Sequence, residues 1–307
     1  MKKAKPDMRV NIGGIAMINP VMAASGTFGY GKEYAGLVDL NALGAIVVKG
    51  INLEGASGNE TPRLVEVPGG LINAIGLQNP GLDGFLRDYL PFLRKFKTPV
   101  IVNIWGRCAG EYAEVAAGLD GVRGVRGIEV NISCPNIKQG GIAFGTDPHL
   151  AARVVAGVRR STKLPLIVKL SPNVTRPGDY AKIAEANGAD AVSLINSFPA
   201  MAIDAETRRP VLANVVGGLS GPAIHPIALK MVWETARAVK IAVVGMGGIT
   251  SAKEALEFII AGASAVAVGT ANFTDPATMR KVIDGIAAYL ERHGIRSVCD
   301  LVGSLKV

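Results

Sequence analysis

The feature that most constrains this chain is a rhythm. Short β-branched apolar runs recur from end to end, each followed by a longer stretch with helical spacing: Val21-Met22-Ala23, Ala45 to Val48, Val100 to Asn103, Ile128-Glu129-Val130, Leu166 to Lys169, Ala191 to Leu194, Ala242 to Val244 and Ala265 to Val268. Runs this short and this continuously apolar read as strands buried on both faces. Such strands pair in parallel beneath helices, and about eight βα units with no break in composition predict an α/β fold, a closed (β/α)8 TIM barrel formed as a single domain over residues 1–307. An open doubly wound sheet shares the alternation and is the competing architecture. Composition favours small-residue packing and backbone-lined pockets, because the 307 residues include 38 glycines and only 5% aromatics.

The helical stretches carry their own end signals. Pro177 to Asn187 closes at Gly188, and Ser251 to Ala261 closes at Gly262, with Ser251 placed to cap the first turn. Three segments exceed a minimal barrel. Arg9 to Pro20, turning at Gly13-Gly14, is expected as a hairpin cap under the barrel, and Asn52 to Pro80 and Asn196 to Gly221 as insertions over its carboxyl-terminal face.

Several function classes are disfavoured at once. No apolar run approaches the roughly 20 residues of a membrane helix. The start, Met1 to Asp7, is basic without the apolar core or cleavage site of a signal peptide, so a cytoplasmic protein with no membrane partner is expected. Cys108, Cys134 and Cys299 are too few and too scattered for a disulfide framework or a metal pair, and Cys108 and Cys299 read as inert small hydrophobes. The net charge of +8 is spread along the chain with no basic block interleaved with aromatics, which favours anionic small ligands over nucleic acid.

In a barrel the carboxyl ends of the strands converge on one face, where active sites lie. Here they end in polar groups: Ser25, Lys49, Asn103, Asn131 to Cys134, Lys169, Asn196, Gly247-Gly248 and Gly269-Thr270. The last two pairs follow the seventh and eighth strands, where bare backbone N–H groups can approach a phosphate, so Gly247, Gly248, Gly269 and Thr270 form the expected phosphate cradle. Tight strand-to-helix turns also use glycine, and one pair alone says little. Asn131-Ile132-Ser133-Cys134-Pro135-Asn136 puts two amides and a thiol around a proline directly after a strand, and Gln139-Gly140-Gly141 follows as the hinge of a closing loop. A cation from Lys49 or Lys169 beside Cys134 would lower its thiol pKa and make it a usable base or nucleophile. His149, His225 and His293 all lie away from strand ends, which argues against a Cys/His dyad or a histidine metal site.

With Asn19 to Gly29, Val48-Lys49-Gly50, Asn73 to Gly81 and Gly217 to Ile224, these segments resemble the dihydroorotate dehydrogenases of the soluble class 1 type, most closely the class 1B catalytic subunit. The resemblance covers nearly the whole chain. It implies FMN-dependent oxidation of dihydroorotate to orotate in pyrimidine (UMP) biosynthesis. Cys134 would be the base that removes the C5 proton while hydride passes from C6 to flavin N5. Asn73, Asn131, Asn136 and Asn196 would hold the pyrimidine ring, because amides match its carbonyl and N–H edges, with Ala74, Ile75, Gly76, Leu77 and Ser197 lining the same pocket. Lys49 would touch both flavin and substrate, and Lys169 would face the flavin N1/O2 edge. Ser25, Gly50, Asn103, Asn131, Ile195 and Gly221 would complete the flavin contacts, with the phosphate on the two glycine pairs.

Class follows from the same resemblance. Cys134 in place of a serine base, and a plain polar start, set this chain apart from the membrane-bound class 2 enzymes. Gln78 and Lys138-Gln139-Gly140-Gly141 look like class 1B, which implies a second subunit carrying FAD and a [2Fe–2S] cluster and passing electrons to NAD+. This chain has neither the cysteines for a cluster nor a dinucleotide fingerprint after a strand, so that partner would be another chain. A homodimer is expected, and a heterotetramer with the partner. Ser197 stands where the family usually has Thr, Phe198-Pro199 replaces a stretch with Leu and Gly, and Trp105 and Arg107 after Asn103 are unusual enough to reshape the flavin or partner side. Two other readings are an FMN barrel acting on another dihydropyrimidine such as dihydrouracil, and a redox-free, phosphate-binding isomerase or lyase barrel.

Overall fold

Eight parallel strands close into a barrel in the computed structural model, which describes residues 5–133 and 141–306. They are β1 (Val21–Ala23), β2 (Ala45–Ile51), β3 (Val100–Ile104), β4 (Val125–Asn131), β5 (Leu166–Lys169), β6 (Ala191–Leu194), β7 (Ala242–Met246) and β8 (Ala265–Val268). Each pairs with its neighbour in sequence, and β8 closes on β1, so the open-sheet alternative falls. Almost every strand residue is buried, because one face fills the barrel and the other lies under helices. Pro20, Pro99 and Pro165 stand immediately before β1, β3 and β5, where the missing N–H breaks no ladder. Their carbonyls still accept from the adjoining strand, at 2.8 Å from Val266 N, 2.9 Å from Ile46 N and 2.9 Å from Ile128 N.

The principal helices are α1 (Ala109–Leu119), α2 (Pro148–Ser161), α3 (Pro177–Ala186), α4 (His225–Ala236), α5 (Ala252–Ala261) and α6 (Thr278–His293). α3 begins on a proline that needs no N–H partner and ends one residue before the expected Asn187, which caps it ahead of Gly188 at φ +94°. α5 carries a full capping box. Ser251 Oγ accepts from Lys253 N at 3.2 Å, Glu254 accepts in return from Ser251 N at 2.8 Å, and Gly262 ends the helix at φ +122°. Ser251→Ala is therefore expected to cost about 1 kcal/mol, read as a lower urea midpoint with an unchanged slope.

The amino-terminal hairpin pairs Val10–Ile12 with Ile15–Met17. Its turn needs glycine twice over: Gly13 has φ +56°, and a Cβ there would lie 2.6 Å from the Cβ of Asp190. Asp190 directly precedes β6, so the hairpin closes the amino-terminal mouth of the barrel.

The two expected insertions prove to be one object. Strands Phe198–Met201, Val216–Ser220, Gly70–Asn73 and Leu64–Val67, in that spatial order, make a single antiparallel roof sheet over the carboxyl-terminal mouth. A small core of Ile72, Ala74 and Leu212 fills it. Several barrel strands outrun their apolar runs: β4 starts at Val125, and β2, β3 and β7 extend to Ile51, Ile104 and Met246. In β2 the extension crosses a register shift against β3 between Val48 and Ile51, so Lys49 and Gly50 sit in a local irregularity that releases them from the ladder.

Cys108 and Cys299 are exposed, which corrects their reading as packed small hydrophobes; Cys108 stands just ahead of α1 and Cys299 in a single 3-10 turn. Among the described residues no helix is long and apolar enough to cross a membrane, and no cluster of three metal-ligating side chains forms.

Candidate active site

The carboxyl-terminal mouth gathers the polar residues that end the strands. Ser25 follows β1, Lys49 and Gly50 occupy the irregular part of β2, Asn103 lies in β3, and Asn131 and Lys169 end β4 and β5. Ile195, Asn196 and Ser197 follow β6, Gly247-Gly248 follow β7, and Gly269-Thr270 follow β8. The roof brings Asn73, at the end of Gly70–Asn73, with Ala74, Ile75, Gly76 and Leu77 after it, and Gly221, just past Val216–Ser220, to the same mouth. Cys134 and Asn136, like Lys138-Gln139-Gly140, lie outside the described residues.

Lys169 spans the opening. β5 and β1 stand opposite each other in the ring, and Lys169 Nζ donates to Ser25 Oγ at 3.0 Å while the residue is only 5% exposed. An ammonium has three protons, and among the described residues Lys169 makes no ion pair, so donor capacity is left for a carbonyl or an anion. Lys49 is half-buried. Burial, and then the Arg63 cation, push its pKa below the ordinary lysine value, against the pull of Glu33. Its neighbour Gly50 must be glycine where it stands, since a Cβ would fall 2.5 Å from Asn103 Oδ1.

Beneath these lies a group that strand-end reading overlooks. Glu129, 2% exposed, accepts from Asn103 Nδ2 at 2.6 Å and from Ser193 Oγ at 2.8 Å. β4 and β6 are not neighbours, so the Glu129–Ser193 contact crosses the barrel interior and holds the Asn103 amide at its mouth. Its signal in the sequence was a carboxylate flanked by Ile128 and Val130 in a strand covered on both faces.

Ser133 lies within the strand-end run Asn131 to Cys134, though the sequence assigns it no part of its own. Its Oγ accepts from Asn196 Nδ2 at 2.9 Å and donates to Asn131 Oδ1 at 3.1 Å, while Asn196 Oδ1 accepts from Ser197 N at 2.8 Å. The ends of β4 and β6 are thereby laced into one chain of oriented amides, and Tyr112 steadies it by donating its hydroxyl to the Asn131 carbonyl at 2.8 Å. Asn73 leans on the roof, Nδ2 to the Gly218 carbonyl at 3.3 Å.

The glycine turns differ from each other. A Cβ on Gly247 would come within 2.6 Å of Ala228 and one on Gly248 within 2.7 Å of His225, at φ +134° and +69° respectively, whereas Gly269 has nothing nearer than 3.7 Å. Gly221, at φ +107°, is packed against the Gly70 backbone, with a Cβ position 2.7 Å from Gly70 Cα. Thr270 donates its hydroxyl to Ser220 Oγ at 2.8 Å, tying the β8 turn to the roof.

The unusual residues fall in separate places. Trp105 is buried against Gly50, its Nε1–H without a partner among the described residues, while exposed Arg107 reaches Glu54 at 3.4 Å. Phe198 and Pro199 occupy an edge strand of the roof, where a proline is tolerated.

The model of the dihydroorotate dehydrogenase family matches residues 7–290. A protein of Pelobacter propionicus named dihydroorotate dehydrogenase B (NAD(+)), catalytic subunit, is 58% identical over 302 residues, 98% of this chain and 99% of its own. Proteins of the same name from Geotalea daltonii and Geobacter sulfurreducens are 58% and 55% identical, covering 99% of this chain and 100% and 99% of theirs. In fold, the chain is similar to the crystal structure of DHODH from Eimeria tenella in complex with ferulenol, with a TM-score of 0.81 over 99% of this chain and 90% of that one at 23% identity.

Proposed function

The chain belongs to the dihydroorotate dehydrogenase family, and on that premise we propose that it oxidises dihydroorotate to orotate in pyrimidine biosynthesis as the FMN-dependent catalytic subunit of an NAD+-linked enzyme. One barrel domain over residues 1–307 holds the flavin, and electrons leave through a partner subunit carrying FAD and a [2Fe–2S] cluster. The assembly is cytoplasmic, a homodimer of this chain that becomes a heterotetramer with its partner. The observation that carries the reading is the buried Lys169 ammonium, turned across the barrel mouth to Ser25 with protons to spare.

The residues present suit FMN. The Gly247-Gly248 turn admits no side chain and so offers bare backbone to a phosphate, and Gly269, where a Cβ would meet only ordinary contact with Ala24 and Thr27, lies at the adjoining strand end. Ser25, Lys49, Gly50, Asn103, Asn131, Lys169, Ile195 and Gly221 would hold the rest of the cofactor. Bound there, FMN supplies the acceptor for the hydride that dihydroorotate loses. The chain supplies the rest. Cys134 takes the C5 proton, which needs its pKa only modestly below about 8.5. Asn73, Asn131, Asn136 and Asn196 orient the pyrimidine ring, Ala74, Ile75, Gly76, Leu77 and Ser197 enclose it, and Lys49 faces its negative charge. Lys169 stabilises charge that builds at the cofactor edge as the substrate is oxidised.

In this scheme Ser133 keeps two of the ring-holding amides in register. Ser133→Ala is expected to raise the KM for dihydroorotate about tenfold with bound flavin unchanged, measured by steady-state kinetics and the flavin content of the purified chain.

The test of the function is the visible spectrum of the purified chain before and after anaerobic dihydroorotate. A flavin band that bleaches is expected. A band that persists with dihydroorotate but bleaches with dihydrouracil overturns the substrate, and a colourless chain unable to take up FMN overturns the cofactor in favour of a redox-free barrel.

A further inference from the structure

Behind the Gly247-Gly248 turn lies a half-buried pair that the oxidation itself does not use. His225 opens α4, with Nδ1 3.0 Å from the Gly247 carbonyl oxygen and Nε2 2.7 Å from Glu257 Oε2 on α5. Its side chain is 13% exposed, and Phe258 meets the ring edge-on, with centroids 5.1 Å apart. A carbonyl oxygen and a carboxylate only accept hydrogen bonds. Both ring nitrogens thus face oxygen atoms that fix the ring's orientation. The charged groups facing it are Glu257 and, through it, Lys253, whose Nζ lies 3.8 Å from Glu257 Oε1; the first turn of α4 and the β7 turn contribute no other titratable side chain.

The direction of that bond matters. In a trans peptide the carbonyl of one residue and the N–H of the next point opposite ways. Holding the Gly247 carbonyl toward His225 turns the Gly248 N–H away from α4, and among the described residues that N–H has no partner. Gly248 is also wedged from behind, its Cβ position 2.7 Å from His225 Cβ and 2.9 Å from the Gly221 carbonyl oxygen.

We propose that His225, braced by Glu257, is a positioning residue that aims the Gly248 N–H at the cofactor phosphate and so sets how tightly that end of the flavin is held. The proposal rests on the FMN reading above and adds to it a device for phosphate affinity. The test compares FMN with riboflavin, which lacks the phosphate, by quenching of flavin fluorescence on the flavin-stripped full-length chain. His225→Phe keeps a ring against Phe258 but has no donor. FMN dissociation constants are expected to rise about tenfold in that variant, with riboflavin unchanged within about twofold. Glu257→Gln, which leaves an acceptor but no charge, is expected to weaken FMN alone by about threefold, and it makes the same comparison if His225→Phe does not fold. Equal losses for both flavins, as a merely structural role would give, or no loss for either, overturn the proposal. A wild-type chain that binds neither flavin defeats the cofactor reading, and the proposal with it.

Discussion

Replacing Cys134 by Ala is expected to slow flavin bleaching by dihydroorotate by about 10²- to 10⁴-fold while the flavin stays bound. A carbon-bound proton at C5 leaves only as fast as a base takes it, and the proposed site provides no second thiol. Cys108, the nearer of the other two cysteines in sequence, is exposed ahead of α1. The bonds among Asn131, Ser133 and Asn196 join those three side chains directly, so the amides proposed to hold the ring are expected to stay in register and dihydroorotate affinity to fall little. Anaerobic stopped-flow mixing separates the two effects, since saturation gives affinity and the plateau gives the rate. Cys134→Ser should remain slow near neutrality and quicken as pH rises, because a hydroxyl holds its proton far more tightly than a thiol. A plateau within tenfold of wild type in the Ala variant would mean that another group accepts the proton.

Lys169→Met is expected to move stability and activity in opposite directions. In the flavin-free chain the ammonium is buried, and among the described residues its one hydrogen-bond partner is the neutral Ser25, an arrangement that costs free energy which methionine, of similar length and apolar, does not. Urea unfolding of the flavin-stripped variant should show a gain of about 1–3 kcal/mol. With flavin bound, the same substitution removes the cation proposed to face the cofactor, and the bleaching rate should fall by about 10²- to 10³-fold. A variant less stable without flavin would show that the ammonium is already satisfied in the empty barrel, and it would weaken the case that Lys169 waits for a ligand.

How far the sequence carried can be seen strand by strand. Leu166–Lys169, Ala191–Leu194 and Ala265–Val268 begin and end where their apolar runs do, because a strand covered on both faces has little polar surface to blur its limits. The polar residues at strand ends were legible for the same reason, since closure of the barrel alone sends them to one mouth. Their mutual bonds were not. Whether Asn103 meets Glu129, or Asn131 meets Ser133, depends on the stagger between strands, and a one-dimensional pattern does not encode stagger. The strands of the roof escaped notice because they carry little burial pattern: Leu64–Val67 stays exposed or half-exposed along its length even with Gly70–Asn73 paired beside it. His225 was set aside for lying off the strand ends, and the structure places it one layer behind them.

The roof also orders events in time. Its central pairing joins Asn73 to Gly218, 145 residues apart. A ribosome working at about 5–20 residues per second leaves the first hairpin waiting on the order of ten seconds for its mate. Throughout that interval Ile72 has no Val216–Ser220 strand beside it, while the segments forming β3 to β6 are being synthesised. The half of the mouth proposed to hold the pyrimidine is thus finished late, and a nascent chain halted before Val216 bears an open sheet edge for chaperones or for another chain to find.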